Sequence, residues 1–292
     1  MSQAPIDPEA FHRFEVAGWG KVGDAYDRFF GPITGRIIDP LLDDAEVGLT
    51  SRVLDVATGP GYVAARARQR GASVIGTDIA HEMLALARRR HPEIEFRHGN
   101  AEELPFPDAS FSASVGNFVL LHLGRPERAA AECVRVVAPG GAVAFSVWDV
   151  PERARIFGVF VEAIQAAEAP PPPDLPPGPP FFRFSSDQEF SGLLRSAGLV
   201  DVNVRCIAFT HRVPGPEELW RGVIEGGVRT PAMILRQSAD TQRRIRSAFD
   251  RLVEPYAVQG GLDVPVSVKL ASGRKPPAGR SSGRALGGQD DE

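Results

Sequence analysis

The chain has 292 residues, 43% apolar and 24% charged, with a formal net charge of −4 and a pI near 5.9. That is enough apolar chain to bury a full core, and it suits one large α/β domain with a cap better than two equal domains. The mild acidity gives no footprint for nucleic acid or an anionic membrane, and Cys133 and Cys206, 73 residues apart, make neither a disulfide framework nor a thiol metal site.

The first 21 residues hold no continuous apolar run, so they do not read as a signal peptide. No stretch of roughly 18 apolar residues exists to span a bilayer. A soluble cytoplasmic protein is expected. WGKVGDAYDRFFGPITGRIIDPLL alternates helix-like pieces with Gly and Pro breaks, which predicts a jointed helical leader over residues 1–49 covering the site. Phe29, Phe30, Ile37 and Ile38 in it need a surface to pack on.

From 50 to 150 strands and helices alternate, the pattern of a parallel sheet with crossover helices. RVLDVA reads as the first strand, YVAARARQRG as a helix ending at Gly71, SVIGTD as the second strand and HEMLALARRRH as the second helix. IEFRHGN, FSASVGNFVLLHL and GGAVAFSVWD complete five strands, the last launched from a turn at Pro139-Gly140-Gly141. PERAAAECVRVV is the helix before it, with Pro126 near its first turn.

Residues 151–275 read as lid or substrate-binding helices with two more strands. FGVFVEAIQAAEA is an amphipathic helix, and eight prolines in the eleven residues 170–180 predict a stiff, polyproline-like connector. VDVNVRCIAF and VPVSVKLASGRK are the sixth and seventh strands. Between them a helical segment spans roughly 216–256, with Trp220 early in it and Ile245, Phe249, Leu252 and Tyr256 on one stripe. The remainder, 276–292, lacks apolar content and is expected to be disordered.

The fold expected is therefore a Rossmann-like α/β sheet of seven mostly parallel strands with helices on both faces. Ligands of such sheets sit outside the carboxyl ends of the strands, where strand order reverses. Gly59, Gly61 and Ala64 fit a glycine fingerprint for dinucleotides, and Asp78 follows about 20 residues later. Asp55, four residues before Gly59, argues against a dinucleotide. A carboxylate beside a pyrophosphate in a cleft costs on the order of a few kcal/mol. A phosphate-free ligand that carries a cation suits the position better, and S-adenosylmethionine, with its ammonium and sulfonium, answers that description.

VLDVATGPG, VIGTDIAHEML, GNAEELPFPDASF, NFVLLHL and RVVAPGG, in that order, resemble the class I S-adenosylmethionine-dependent methyltransferases. The small-molecule subgroup that includes the ubiquinone and menaquinone C-methyltransferases is the most similar. The resemblance covers about 50–148. It implies backbone contacts to the cofactor from Ala57, Thr58, Gly59, Pro60 and Gly61, a role for Asp55 toward the ammonium, and ribose binding by Asp78. It also implies adenine packing by Ile79 and Met83 and adenine recognition around Asn100, Ala101 and Glu102. Asn117 and Phe118 would lie beneath the methionine portion. Two departures stand out: Ala57 replaces the first glycine of the family's turn, a change tolerated if its φ is negative, and Asn100 replaces a common Asp.

The activity implied is methyl transfer to the O, N or C nucleophile of a small molecule, a secondary or quinone-like metabolite. The alternative is a cyclase or other non-methylating enzyme that keeps the cofactor site. His122 is the candidate general base and Tyr26 a second catalytic candidate, with Trp19 and Trp148 as walls of the acceptor pocket. Asp149 is expected to cap a helix. His81 and Glu82 begin an H-E-x-x-H pattern, but Ala85 stands where its second His should be, so no metal site is expected.

Overall fold

The computed structural model describes residues 6–278; of the expected tail, 279–292 lie outside the described residues. Before the sheet come α1 (Pro8–Phe29), α2 (Gly31–Thr34) and α3 (Ile38–Asp44). The Rossmann-like part runs β1 (Arg52–Val56), α4 (Tyr62–Gln69), β2 (Ser73–Asp78), α5 (His81–Arg90), β3 (Glu95–His98), β4 (Phe111–Asn117), α6 (Pro126–Val136) and β5 (Val137–Trp148). It continues with α7 (Arg155–Ala166), α8 (Asp187–Ser196), β6 (Val200–Val213), α9 (Pro216–Gly226), α10 (Arg229–Leu235), α11 (Ala239–Val253), β7 (Ala257–Val258) and β8 (Gly261–Arg274).

The sheet order is β3-β2-β1-β4-β5-β8-β6, parallel throughout β1 to β5, with β8 antiparallel between β5 and β6. The seven expected strands are present, and the two-residue β7 is an addition that pairs only with β8. Successive side chains of a strand point to opposite faces. Accordingly Leu54 of β1 and Val143, Phe145 and Val147 of β5 enter the core packed by α6 and α8, whereas Val53, Ala144 and Trp148 enter the core packed by the leader, α7 and α9 to α11.

Several expected boundaries differ. The fourth strand, expected over FSASVGNFVLLHL, ends at Asn117, and Leu120–His122 form a 3-10 turn. The leader glycines Gly18, Gly20 and Gly23 do not interrupt α1, which runs 22 residues from its Asp7 cap. A mid-helix glycine costs about 1 kcal/mol, and here close packing offsets it: a Cβ on Gly18 would stand 2.3 Å from Val228 Cγ1, and one on Gly20 3.1 Å from Glu82 Oε2. The joints fall at Phe30 and at Gly35 instead. Pro139-Gly140-Gly141 is not a turn before β5 but a bulge inside it, where residues 138–141 stand against Ser112 alone. The segment 216–256 is three helices, broken near Gly227 and at the Ser238 cap.

α9 lies along α1 because Gly222 admits the Phe29 ring; a Cβ there would sit 2.1 Å from Phe29 Cδ2. Gly222→Ala is therefore expected to destabilise the protein by about 1–3 kcal/mol through overpacking, seen as a lower urea midpoint at unchanged slope. The proline-rich run has no regular structure but is anchored: Leu175 is buried and Gly178 lies against the Phe11 ring of α1. Asp149 caps no helix. It is fully buried and joins three strands, accepting from Ser267 Oγ at 2.8 Å and Val150 N at 2.8 Å, with Cys206 Sγ at 3.8 Å.

Candidate functional site

Strand order reverses between β1 and β4, and the carboxyl ends of β1, β2 and β4 open into a cavity that α1 crosses. Every residue put forward as cofactor-binding, catalytic or pocket-lining borders this cavity except Gly61 and Glu102. Gly61 lies under the turn at φ +87°, where a Cβ would press on Phe96 Cζ at 2.9 Å. Glu102 is buried and turned away, accepting from Arg125 N at 2.9 Å and Arg125 Nη1 at 3.3 Å.

Asp55 is 1% exposed, and its carboxylate serves the turn: Oδ2 accepts from Thr58 Oγ1 at 2.5 Å and Ala64 N at 3.0 Å. Burial pushes its pKa up to about 7, against these two hydrogen bonds. A charge fixed at the cavity mouth is thus replaced by a buried carboxyl that titrates near neutrality. The case against phosphate rests as well on the lining itself, which brings acids and no Lys or Arg to this turn.

Ala57 has φ +55°, the left-handed region, contrary to the negative φ that would make its Cβ harmless. Phe118, at the end of β4, has φ +60°. Two strained non-glycine residues facing one cavity are the signature of a site whose geometry is over-determined by its surroundings. Ala57→Gly is expected to raise stability by about 1 kcal/mol, a melting temperature higher by roughly 2–4 °C; an unchanged or lower value would show that the strain is compensated.

Asp78 ends β2, 7% exposed. Its Oδ2 accepts from Gly59 N at 2.8 Å and Oδ1 from Ala80 N at 2.9 Å, so one carboxylate ties the glycine turn to the start of α5. Burial raises its pKa, while these amides pull it down. An ionised carboxylate has about four acceptor sites, so each oxygen keeps capacity for one further hydroxyl. Asn117 has both polar atoms occupied, Oδ1 by Ser146 Oγ at 2.5 Å and Nδ2 by Thr34 O at 3.3 Å. Asn100 spends Oδ1 on Glu102 N at 2.9 Å and keeps its amide donors.

The other end of the cavity contains an arrangement that the sequence did not announce. Glu15 of α1, 3% exposed, accepts through Oε2 from Trp19 Nε1 at 3.1 Å and meets His122 Nδ1 at 3.0 Å; its Oε1 has no partner. The Trp19 and His122 rings meet edge-on at 4.8 Å. Tyr26, two turns further along α1 than Trp19, stacks on Phe30 at 5.5 Å, and burial pushes its phenol up to about 12. Glu15 and Trp19 share a helix face through their i, i+4 spacing, the one sequence signal that could have found Glu15. Arg229, also on the lining, had none.

Residues 54–145 match the family model described as a methyltransferase domain. The ubiquinone/menaquinone biosynthesis C-methyltransferase UbiE of Methylobacterium nodulans is 36% identical over 175 residues, 54% of this chain and 69% of that protein. The chain belongs to the class I S-adenosylmethionine-dependent methyltransferases.

The chain is also 36% identical over 116 residues to the demethylmenaquinone methyltransferase of Renibacterium salmoninarum, 40% of this chain and 49% of that protein. It thus spans about half the length of several such relatives. The YcgJ protein of Bacillus subtilis shares the fold, with a TM-score of 0.55 at 21% identity over 83% of this chain and 99% of that one. The family's cofactor is S-adenosylmethionine, and the cavity fits it. Asp78 has acceptor capacity for two hydroxyls, nothing stands within 4 Å of where a Cβ on Gly59 would be, and the cofactor end carries acids that suit a cation. Among the described residues no cluster of three or more metal-ligating side chains occurs and no helix is long and apolar enough to cross a membrane.

Proposed function

We propose that the protein transfers a methyl group from S-adenosylmethionine to an O, N or C nucleophile of a small molecule, a secondary or quinone-like metabolite, by in-line displacement. The observation that carries this reading is that one cavity holds both Asp78, with acceptor capacity to spare, and a histidine held by a buried carboxylate. When bound, the cofactor supplies a methyl group on a sulfonium. The chain's task is to hold the nucleophile in line and dry.

In this account Asp78 accepts the ribose hydroxyls, Ile79 and Met83 flank the adenine with Ala101, and Asn100 donates to it. Ala57 to Pro60 offer backbone, Asp55 draws the ammonium, and Asn117 and Phe118 form the floor. Glu15 accepts a hydrogen bond from the N–H at His122 Nδ1, leaving Nε2 free to take a proton from the acceptor. Tyr26, its pKa pushed up to about 12, stays a phenol and acts as a donor and wall rather than a base. Trp19 and Trp148 bound the acceptor pocket.

Asp55 makes the cofactor step pH-dependent. Its charged form attracts the ammonium and its protonated form does not. With a pKa near 7, affinity for S-adenosylhomocysteine is expected to rise from pH 5 to 8, by up to about tenfold per unit below pH 7. Calorimetry in buffers of different ionisation enthalpy should show proton release on binding, and Asp55→Asn should flatten the profile. The reading as a whole is tested by incubating the protein with methyl-labelled cofactor and a panel of phenolic and quinol acceptors. Label in a small-molecule product supports it. Mass gained without a methyl increment would move the assignment to a non-methylating enzyme.

A further inference from the structure

Arg229 is the one permanent cation among the residues lining the cavity, and no carboxylate of the described residues comes within the 4.0 Å of an ion pair with it. Its guanidinium lies over the Phe11 ring, 5.3 Å from the centroid, with a single 3.3 Å hydrogen bond from Nη1 to Pro176 O and Gly178 packed close by. Aromatic ring and proline-rich run thus hold a guanidinium in place while leaving most of its five N–H donors unused. Burial lowers its pKa and Glu15 alone opposes that. A partly desolvated cation without a partner is costly to keep. Independently, Glu15 Oε1 is buried in the same cavity with no hydrogen-bond donor. The cavity thus presents an unpaired cation and a buried acceptor without a donor, and its lining includes the aromatic rings of Trp148, Phe157 and Phe181.

We infer that the acceptor is an acid: a small, apolar-bodied hydroxy carboxylate whose carboxylate pairs with Arg229 and whose hydroxyl faces Glu15 and His122. The planar fork of one arginine matches a carboxylate. A dianionic phosphate would meet a single cation and the nearby Glu15. This inference rests on the methyl-transfer reading, since it names the substrate class of the same site.

The test is calorimetric titration of the protein saturated with S-adenosylhomocysteine, using 1-hydroxy-2-naphthoate and its neutral analogue 1-hydroxy-2-naphthamide as probes. The acid is expected to bind at least about tenfold more tightly than the amide, as a charge-assisted pair gained against a neutral one requires. Arg229→Gln should bring the two within about threefold, and Arg229→Lys should keep part of the preference. Affinity for S-adenosylhomocysteine, measured first on each variant, confirms folding. Equal binding of acid and amide by the unmodified protein, no binding of the acid, or a preference that survives Arg229→Gln overturns the inference. A protein that fails to bind S-adenosylhomocysteine at all would instead sink the methyl-transfer reading.

Discussion

Asp78→Ala is expected to weaken S-adenosylhomocysteine binding by at least about 100-fold, since two hydrogen bonds to a charged group are worth about 1.5 kcal/mol or more each. The loss has a second source in the structure itself. The same carboxylate holds Gly59 N and Ala80 N, so the glycine turn would lose its tie to α5 at the moment the ribose loses its acceptor. Asp78→Asn separates the two contributions. It keeps one acceptor oxygen but turns the other into a donor that faces an amide, and a loss of affinity close to that of alanine is expected. Equilibrium dialysis with labelled S-adenosylhomocysteine gives the affinities, and circular dichroism checks that each variant is folded. Affinity within about threefold of the unmodified protein for both variants would remove Asp78 from the cofactor site.

His122→Ala is expected to lower kcat by about 10²- to 10⁴-fold, the usual worth of a general base, while S-adenosylhomocysteine affinity stays within about twofold. Added imidazole should restore part of the rate, which it could not do if the histidine only propped α1 against the sheet. Glu15 Oε2 positions His122, and in the proposed reading its Oε1 meets the acceptor hydroxyl. Glu15→Gln keeps the shape and the contact with Trp19 but no longer commits the imidazole proton to Nδ1, so kcat should fall by about tenfold. An acceptor whose nucleophile needs no deprotonation would leave both variants within a few-fold of the unmodified rate, and that result would confine the pair to holding the leader in place.

The strand pattern from 50 to 150 was legible because each buried parallel strand is a short apolar run ending in a polar or glycine signal, and Asp55, Asp78 and Asn117 each stand at such an end. What escaped was conformation and distance. Nothing in the residues VLDVATGPG tells that Ala57 sits at positive φ, because the turn is held there by hydrogen bonds that Asp55 accepts from Thr58 and Ala64 and that Asp78 accepts from Gly59. The leader glycines read as breaks because helix propensity is local, whereas their reason is the approach of Val228 and Glu82 from elsewhere in the chain. Glu15 and His122 are 107 residues apart and meet only because α1 crosses the carboxyl ends of the strands. Arg229 depends on the docking of the proline-rich run against α1, a contact between two segments neither of which carries a motif.

The central claim is that the cavity at the carboxyl ends of β1, β2 and β4 takes an S-adenosyl ligand rather than a nucleotide diphosphate. Calorimetric titration of the purified protein with S-adenosylhomocysteine and, separately, with NAD tests it most directly. One-to-one binding of S-adenosylhomocysteine that NAD does not compete away is expected. Binding of NAD with no heat from S-adenosylhomocysteine would contradict it.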